Sequence, residues 1–123
     1  MQPKLKVLVV DDSVLVHEQM VEALRDRGYN AYAIGNTMEF VSTYHRYKPD
    51  IVLMDVDMPG LSGTKAVQAA RISKSECTVL LHSSLPEEKL RTLAEECGAH
   101  GYLSKGELND GFFIRLRECH PKR

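Results

Sequence analysis

The residues best suited to chemistry stand at the ends of apolar runs. The run 51–54 ends in Asp55, and the earlier run 5–10 ends in Asp11 and Asp12. A continuous apolar run is typical of a strand buried on both faces of a parallel sheet. Such sheets bind their ligands at the carboxyl edge. The three carboxylates are therefore candidates for one shared binding site.

Two further strand ends carry a polar group that suits the same site. The predicted strand 78–82 is followed by Ser83, and the short predicted strand 101–103 leads to Lys105. Taken alone, each has a structural explanation, as a loop hydroxyl or a solvated lysine. Parallel strands end at the same edge of a sheet, so four strand ends with reactive or ionic groups indicate a functional site.

Charge decides what this site is expected to bind. Neighbouring carboxylates repel one another unless a cation lies between them. Oxygen ligands without an accompanying His or Cys favour Mg²⁺, with Mn²⁺ as an alternative ion. With the metal and Lys105 balancing charge, Asp55 is expected to act as a nucleophile toward a phosphoryl group, and Ser83 to hydrogen-bond one of its oxygens.

Apolar spacing predicts five strands that alternate with five helices. The helical stripes are Val16, Met20, Ala23 and Leu24; Phe40, Val41, Tyr44 and Tyr47; Ala66, Val67 and Ala70; Leu90, Leu93, Ala94 and Cys97; Leu108, Phe112, Leu116 and Cys119. Pro86 is expected at the first position of the fourth helix. Because parallel neighbours need crossover connections, the predicted fold class is α/β, a three-layer sandwich around a five-stranded parallel sheet.

Composition indicates an ordinary single domain that spans residues 1–123. The net charge of −1 gives no electrostatic footprint for nucleic acid, and no apolar run is long enough for a membrane span. Three cysteines without a CxxC pair predict reduced thiols and a cytoplasmic protein. His17 and His45 lack a partner at metal-ligand spacing and are expected to be exposed, whereas His82 stands beside Ser83 at a strand end.

The chain resembles the receiver domain of two-component response regulators, the CheY type, over essentially its whole length. The motifs that carry the resemblance are VVDDS, LMDVDMPGLSG, LLHSS and GYLSK. The resemblance implies a flavodoxin-like (βα)5 fold with strand order 2-1-3-4-5. It also implies that Asp11 and Asp12 bind the metal and that Asp55 is both a metal ligand and the phosphoacceptor.

Further roles follow from the same resemblance. It implies that Asp57 donates its main-chain carbonyl to the metal, that Lys105 is the catalytic lysine, and that Ser83 and Tyr102 are the switch hydroxyl and the switch aromatic. One departure concerns Gly106, which stands where the family usually has a proline in a cis peptide. The geometry of the last loop is therefore left open.

The function expected from the resemblance is phosphoryl acceptance in a phosphorelay, and not turnover as an enzyme. A histidine kinase or a histidine phosphotransfer protein would supply the phosphoryl group, and the domain would change conformation and hydrolyse it slowly. Output is expected through the face of the fourth helix, fifth strand and fifth helix, toward a downstream partner or an output domain that this chain lacks.

Two alternatives stay open at this point. A haloacid dehalogenase-like phosphohydrolase also uses a strand-end DxD, which Asp55 and Asp57 fit, although that motif lies near the chain start in those enzymes and Pro59 is unusual at its position. A degenerate receiver would act only as an interaction module, against which the intact acids, Ser83 and Lys105 argue. Magnesium-dependent labelling by a small phosphodonor discriminates among these functions.

Overall fold

The computed structural model describes residues 4–36, 38–56 and 77–120. Its elements are β1 (Lys6–Val10), α1 (Val14–Asp26), β2 (Asn30–Ile34), α2 (Phe40–Tyr47), β3 (Ile51–Asp55), β4 (Thr78–Ser83), α3 (Glu87–Cys97), β5 (Gly101–Ser104) and α4 (Asp110–Cys119). The helix predicted around Ala66, Val67 and Ala70 lies outside the described residues, and so does Asp57. The predicted fourth and fifth helices correspond to α3 and α4.

The five strands form one parallel sheet in the order β2-β1-β3-β4-β5. The predicted α/β class and the strand order implied by the resemblance are both confirmed. Every residue of β3 and β4 is buried, as continuous apolar runs covered on both faces require. In the register, Val10 lies beside Met54 and Asp55 lies beside His82, so β1, β3 and β4 end together at one edge.

Two hydrophobic cores lie on opposite faces of the sheet. One core joins the sheet to α1 and α4, with the helical residues Met20, Leu24, Phe112, Phe113 and Leu116. The other joins it to α2 and α3, with the helical residues Phe40, Tyr44, Leu90, Ala94 and Cys97. The described residues thus form the three predicted layers, and helices cover both faces of the central strands.

The boundaries of α1 follow from local chemistry. Ser13 is the N-cap, and its Oγ accepts a hydrogen bond from the Val16 N–H at 3.3 Å. Gly28, just beyond the helix, has φ +89°, a conformation that glycine adopts without a steric penalty. The helix therefore begins directly after the carboxyl end of β1, which brings its first turn to the edge of the sheet.

Two positions differ from the sequence-based expectation. Pro86 is the N-cap of α3 and not its first residue, because its ψ of 142° is extended and the helix begins at Glu87. Leu108 continues the apolar stripe of α4 but precedes the helix, which is capped by Asn109. The Asn109 Oδ1 accepts a hydrogen bond from the Phe112 N–H at 3.1 Å, so a side-chain cap fixes the start of the helix, and Leu108 packs on the core from the loop.

None of the helices described is long and apolar enough to cross a membrane.

Candidate functional site

Three carboxylates meet at the carboxyl edge of the sheet. Asp11 and Asp12 follow β1, Asp55 ends β3, and one oxygen of each lies within 4.8 Å of the others. Asp11 and Asp55 are buried, with 1% and 5% of their surface exposed, whereas Asp12 faces solvent. The structure thus brings together the three acids that the sequence placed at the ends of two different strands.

The backbone around Asp11 is held by its neighbours. Its N–H donates to the Ile34 carbonyl at 3.1 Å, and its Oδ1 accepts from the Ser13 N–H at 3.0 Å. His17 Nε2 donates a hydrogen bond to the Asp11 main-chain oxygen. His17 is partly buried, so the expectation that it is exposed is wrong, whereas His45 is exposed as expected. No sequence pattern predicts this contact, because the partner is a main-chain oxygen six residues earlier.

Lys105 reaches two of the three carboxylates. Its Nζ lies 2.9 Å from Asp11 Oδ2 and 3.3 Å from Asp55 Oδ1. Burial alone would lower the pKa of the Lys105 ammonium, but attraction to Asp11 and then to Asp55 outweighs burial and raises it. Lys105 is therefore a permanent cation that spans the site from the end of β5 to the ends of β3 and β1.

The residues present fit a divalent cation. Asp11 Oδ2 is fully buried, and no donor in the described part of the chain reaches it with hydrogen-bond geometry, although the Lys105 ammonium is close. Three carboxyl groups surround the single ammonium of Lys105, so the cluster offers more acidic ligands than Lys105 alone can pair with. Carboxylate oxygens are the ligands that Mg²⁺ prefers. The fourth predicted ligand, the main chain of Asp57, lies outside the described residues.

Ser83 ends β4 with 2% of its surface exposed. Its Oγ accepts a hydrogen bond from the Leu85 N–H at 3.1 Å, and its carbonyl accepts one from the Lys105 N–H at 2.8 Å. The residue therefore connects the end of β4 to the loop that carries the lysine. In this contact the Ser83 Oγ is the acceptor, so its O–H can still donate to a ligand oxygen.

Tyr102 lies on β5 with its hydroxyl at the surface. The hydroxyl donates to Glu87 Oε1 at 3.0 Å and accepts from Arg91 Nε at 3.4 Å, so α3 holds it. From α4, the Arg115 guanidinium lies 5.2 Å from the centre of the ring. The sequence pattern gives no indication of the contact with Arg115.

His82 lies on β4 in register with Asp55 on one side and Leu103 on the other. Its ring is buried and meets Phe112 edge to face at 5.9 Å. Burial, and then the nearby charge of Lys105, lower the pKa of His82 to about 4. The imidazole beside the acid cluster is therefore neutral at neutral pH.

Gly106 follows Lys105 in the last loop, whose geometry the sequence does not predict. No peptide bond among the described residues is cis, and a Cβ built on Gly106 would meet no atom within 4 Å. Steric crowding therefore does not require a glycine here, and the lysine is placed without the cis-proline that the family usually has.

A parallel sheet covered on both faces, with acids and a lysine at its carboxyl edge, defines a receiver-like α/β protein. Residues 7–113 match the family described as the response regulator receiver domain. The chain belongs to this family, the receiver domains of two-component response regulators. The match agrees with the resemblance drawn from the motifs and favours a receiver over a haloacid dehalogenase-like hydrolase.

The curated relatives differ in length. The chain is 31% identical over 100 residues to the chemotaxis protein CheY of Halobacterium salinarum, covering 81% of this chain and 83% of that protein. It is 35% identical over 104 residues to the response regulator GacA of Pseudomonas aeruginosa, covering 83% of this chain and 49% of GacA. A protein-glutamate methylesterase/protein-glutamine glutaminase of Idiomarina loihiensis is 41% identical over 105 residues, covering 81% of this chain but 27% of that protein. The similarity to the larger relatives is therefore a similarity to one part of them.

Solved structures agree on the fold. Vibrio cholerae CheY4 superposes with a TM-score of 0.85 at 23% identity, covering 97% of this chain and 100% of that one. The BeF3-activated N-terminal receiver domain of Klebsiella pneumoniae RstA gives a TM-score of 0.86 at 24% identity, covering 95% of this chain and 99% of that one. These similarities support the receiver fold.

Proposed function

We propose that this receiver domain accepts a phosphoryl group on Asp55 from a phosphohistidine donor, in a Mg²⁺-dependent reaction, and later loses it by slow hydrolysis. One observation carries the proposal: the buried Asp55 carboxylate lies 3.3 Å from Lys105 Nζ within a cluster of three acids. A buried acid beside a fixed cation and a metal-binding cluster is suited to in-line phosphoryl transfer.

The transfer step uses the side chains of this site. An oxygen of Asp55 forms a bond to phosphorus while the bond from phosphorus to the donor imidazole breaks, and the electron pair stays on the imidazole nitrogen. Lys105 is placed to stabilise the negative charge of the phosphoryl oxygens as the transfer proceeds. Asp11, Asp12 and Asp55, with the main chain of Asp57, would hold Mg²⁺, which supplies additional positive charge to those oxygens.

The switch is proposed to run from Ser83 to Tyr102. Leu81 and Tyr102 are register partners, and both belong to the core on the α2 and α3 side. Side chains alternate along a strand, so Ser83 projects from this same face, one pleat closer to the site. A phosphoryl oxygen would accept a hydrogen bond from the Ser83 hydroxyl and draw it toward the site, and Tyr102 would move inward. A hydrogen bond to a charged group supplies about 1.5–3 kcal/mol, enough to shift a modest equilibrium.

The proposed partners follow from the same chemistry. A histidine kinase or a histidine phosphotransfer protein would donate the phosphoryl group in the cytoplasm, where reduced thiols are expected. The output would leave through the surface of α3, β5 and α4, toward a separate partner or an adjoining output domain. CheY of Halobacterium salinarum matches over most of its length, and GacA over about half, so the relatives include both kinds of organisation.

The test is phosphoryl uptake measured by intact-mass spectrometry. With acetyl phosphate and Mg²⁺, the wild-type chain should gain one phosphoryl group, and Asp55→Asn or excess chelator should abolish the gain. Asp12→Ala should require about 10- to 100-fold more Mg²⁺, because a ligand or an anchor for coordinated water is lost. Asp26→Ala, a change at another exposed acid, at the end of α1, is the matched control and should behave as wild type.

The opposite pattern would refute the proposal. Wild-type uptake that persists in excess chelator would show that the reaction does not need a metal. Equal uptake by Asp55→Asn removes Asp55 as the acceptor. No uptake by the wild type under conditions that phosphorylate other receivers would instead favour the degenerate receiver that acts only as an interaction module.

A further inference from the structure

The contacts around Tyr102 suggest a latch between two helices. Glu87 and Arg91 on α3 hold the Tyr102 hydroxyl, at 3.0 and 3.4 Å, and they also pair with each other at 3.8 Å. Arg115 on α4 lies over the ring, 5.2 Å from its centre. The tyrosine is thus held by an acid and a guanidinium from one helix and by a second guanidinium from the other.

These contacts belong to one orientation of the side chain. Glu87 and Arg91 are exposed, with 66% and 54% of their side-chain surfaces accessible, so the hydroxyl they hold points outward. An inward rotation toward Ser83 carries the hydroxyl away from both partners and slides the ring from beneath Arg115. Each contact is therefore gained in the outward state and lost in the inward state.

We infer that Glu87, Arg91 and Arg115 form an autoinhibitory latch that holds Tyr102 outward and so opposes activation of the domain. The inference rests on the proposed function, because activation means occupation of the phosphoryl site. A contact present in only one state lowers the population of the other, and it weakens the apparent affinity of any ligand that selects that other state by the same factor. The latch would thus set how much phosphoryl occupancy is needed for output.

The first experiment measures binding of beryllofluoride, a phosphoryl mimic, in the presence of Mg²⁺. Glu87→Ala and Arg115→Ala should each bind it roughly two- to fivefold more tightly than wild type, the range expected when one contact between exposed charged groups is removed. Glu88→Ala is the matched control, because Glu88 is also an acid in the first turn of α3 but makes no hydrogen bond to Tyr102. It removes the same favourable charge from the helix start and should bind as wild type.

A double-mutant cycle separates the latch from a general effect on α3. In a Tyr102→Phe background the hydroxyl is gone, so Glu87→Ala should no longer change the affinity. Arg115→Ala should still tighten binding, because its partner is the ring and not the hydroxyl. The gain from Glu87→Ala in the wild-type background should also shrink at high salt, since the pair with Arg91 is exposed and is screened.

A second readout does not involve the phosphoryl site. NMR scalar couplings report the χ1 rotamer populations of Tyr102 in the unphosphorylated chain, and Glu87→Ala and Arg115→Ala should raise the inward population while Glu88→Ala leaves it unchanged. The latch is overturned if Glu87→Ala matches Glu88→Ala in both readouts, or if its effect persists in Tyr102→Phe. Absence of beryllofluoride binding in the wild type, with the rotamer shifts as expected, would count against the proposed function and not against the latch.

Discussion

Polar side chains at the two edges of the sheet differ in whether they are paired within the fold. At the amino-terminal edge, Asp50 Oδ2 accepts a hydrogen bond from the Lys6 N–H at 2.8 Å. Thr78 Oγ1 and His120 Nδ1 share a buried hydrogen bond of 2.8 Å, which connects the start of β4 to the residue that caps α4. The polar side chains at this edge have nearby partners within the fold.

At the carboxyl edge, side chains of like charge are buried together. Asp11 and Asp55 are buried close together beside Asp12, and among the described residues Asp11 Oδ2 has the Lys105 ammonium at 2.9 Å, a cation that it shares with Asp55. The ammonium of Lys105 balances only part of the negative charge of these carboxylates. Burying like charges together costs folding free energy, which indicates a site organised for a ligand. Polar groups that are hydrogen-bonded within the fold indicate a structural role. The comparison predicts that changes at the two edges have different consequences.

The largest expected effect is at Lys105. Lys105→Met keeps much of the side-chain volume but removes the ammonium beside Asp11 and Asp55, and it should lower the rate of phosphoryl uptake on the order of 100-fold. The rate is measured from the time course of intact mass with acetyl phosphate. Lys89→Met, an exposed lysine on α3, serves as the control, and an equal rate for both variants would contradict the assigned role.

The burial of His82 at the carboxyl edge can be tested by the pH dependence of the unfolding free energy. Its pKa is lowered from 6.5 to about 4, so between these values the unfolded chain binds the proton more readily than the folded chain. The contribution of His82 to stability is complete above about pH 6.5 and is lost as the pH falls toward 4. Between about pH 7.5 and pH 5, this loss amounts to about 2 kcal/mol of unfolding free energy.

Urea unfolding of wild type and His82→Leu checks this value. The variant lacks the titrating group, so its stability should fall less than that of the wild type over the same pH interval. Stability curves that stay parallel from about pH 7.5 to pH 5 would mean that the His82 imidazole is not buried as a neutral group.

Thr78→Val is the corresponding change at the amino-terminal edge. It preserves the shape of the side chain but leaves His120 Nδ1 without the Thr78 hydroxyl, so the free energy of unfolding should fall by about 1–2 kcal/mol. Phosphoryl uptake with acetyl phosphate should stay at the wild-type level. A large loss of uptake in a folded Thr78→Val chain would remove the distinction between the two edges.

Much of this contrast could be predicted from the sequence, for a topological reason. The apolar runs that end in Asp11 and Asp55 specify buried parallel strands, and parallel topology then brings their ends together whatever their separation in sequence. The positions of Ser83 and Lys105 follow in the same way. The fold class and the grouping of the acids therefore needed only periodicity and parallel topology, whereas the strand order came from the family resemblance.

What could not be predicted depends on packing between distant elements. The contact from His17 to the Asp11 main chain and the position of Arg115 over Tyr102 depend on rotamers that no spacing rule encodes. Leu108 shows the opposite error, because it fits the helical period of α4 and contacts the same core although it belongs to the preceding loop. A stripe of apolar residues predicts burial more reliably than it predicts a helix boundary.

The most direct test of the account is to locate the phosphoryl group on the chain. Borohydride reduces an aspartyl phosphate to homoserine, and peptide mass spectrometry of the reduced protein then identifies the modified position. After treatment with acetyl phosphate and Mg²⁺, the account predicts homoserine at Asp55 at the carboxyl edge and none at Asp50 at the amino-terminal edge. Homoserine at Asp50 or Asp12, with Asp55 unchanged, would contradict it.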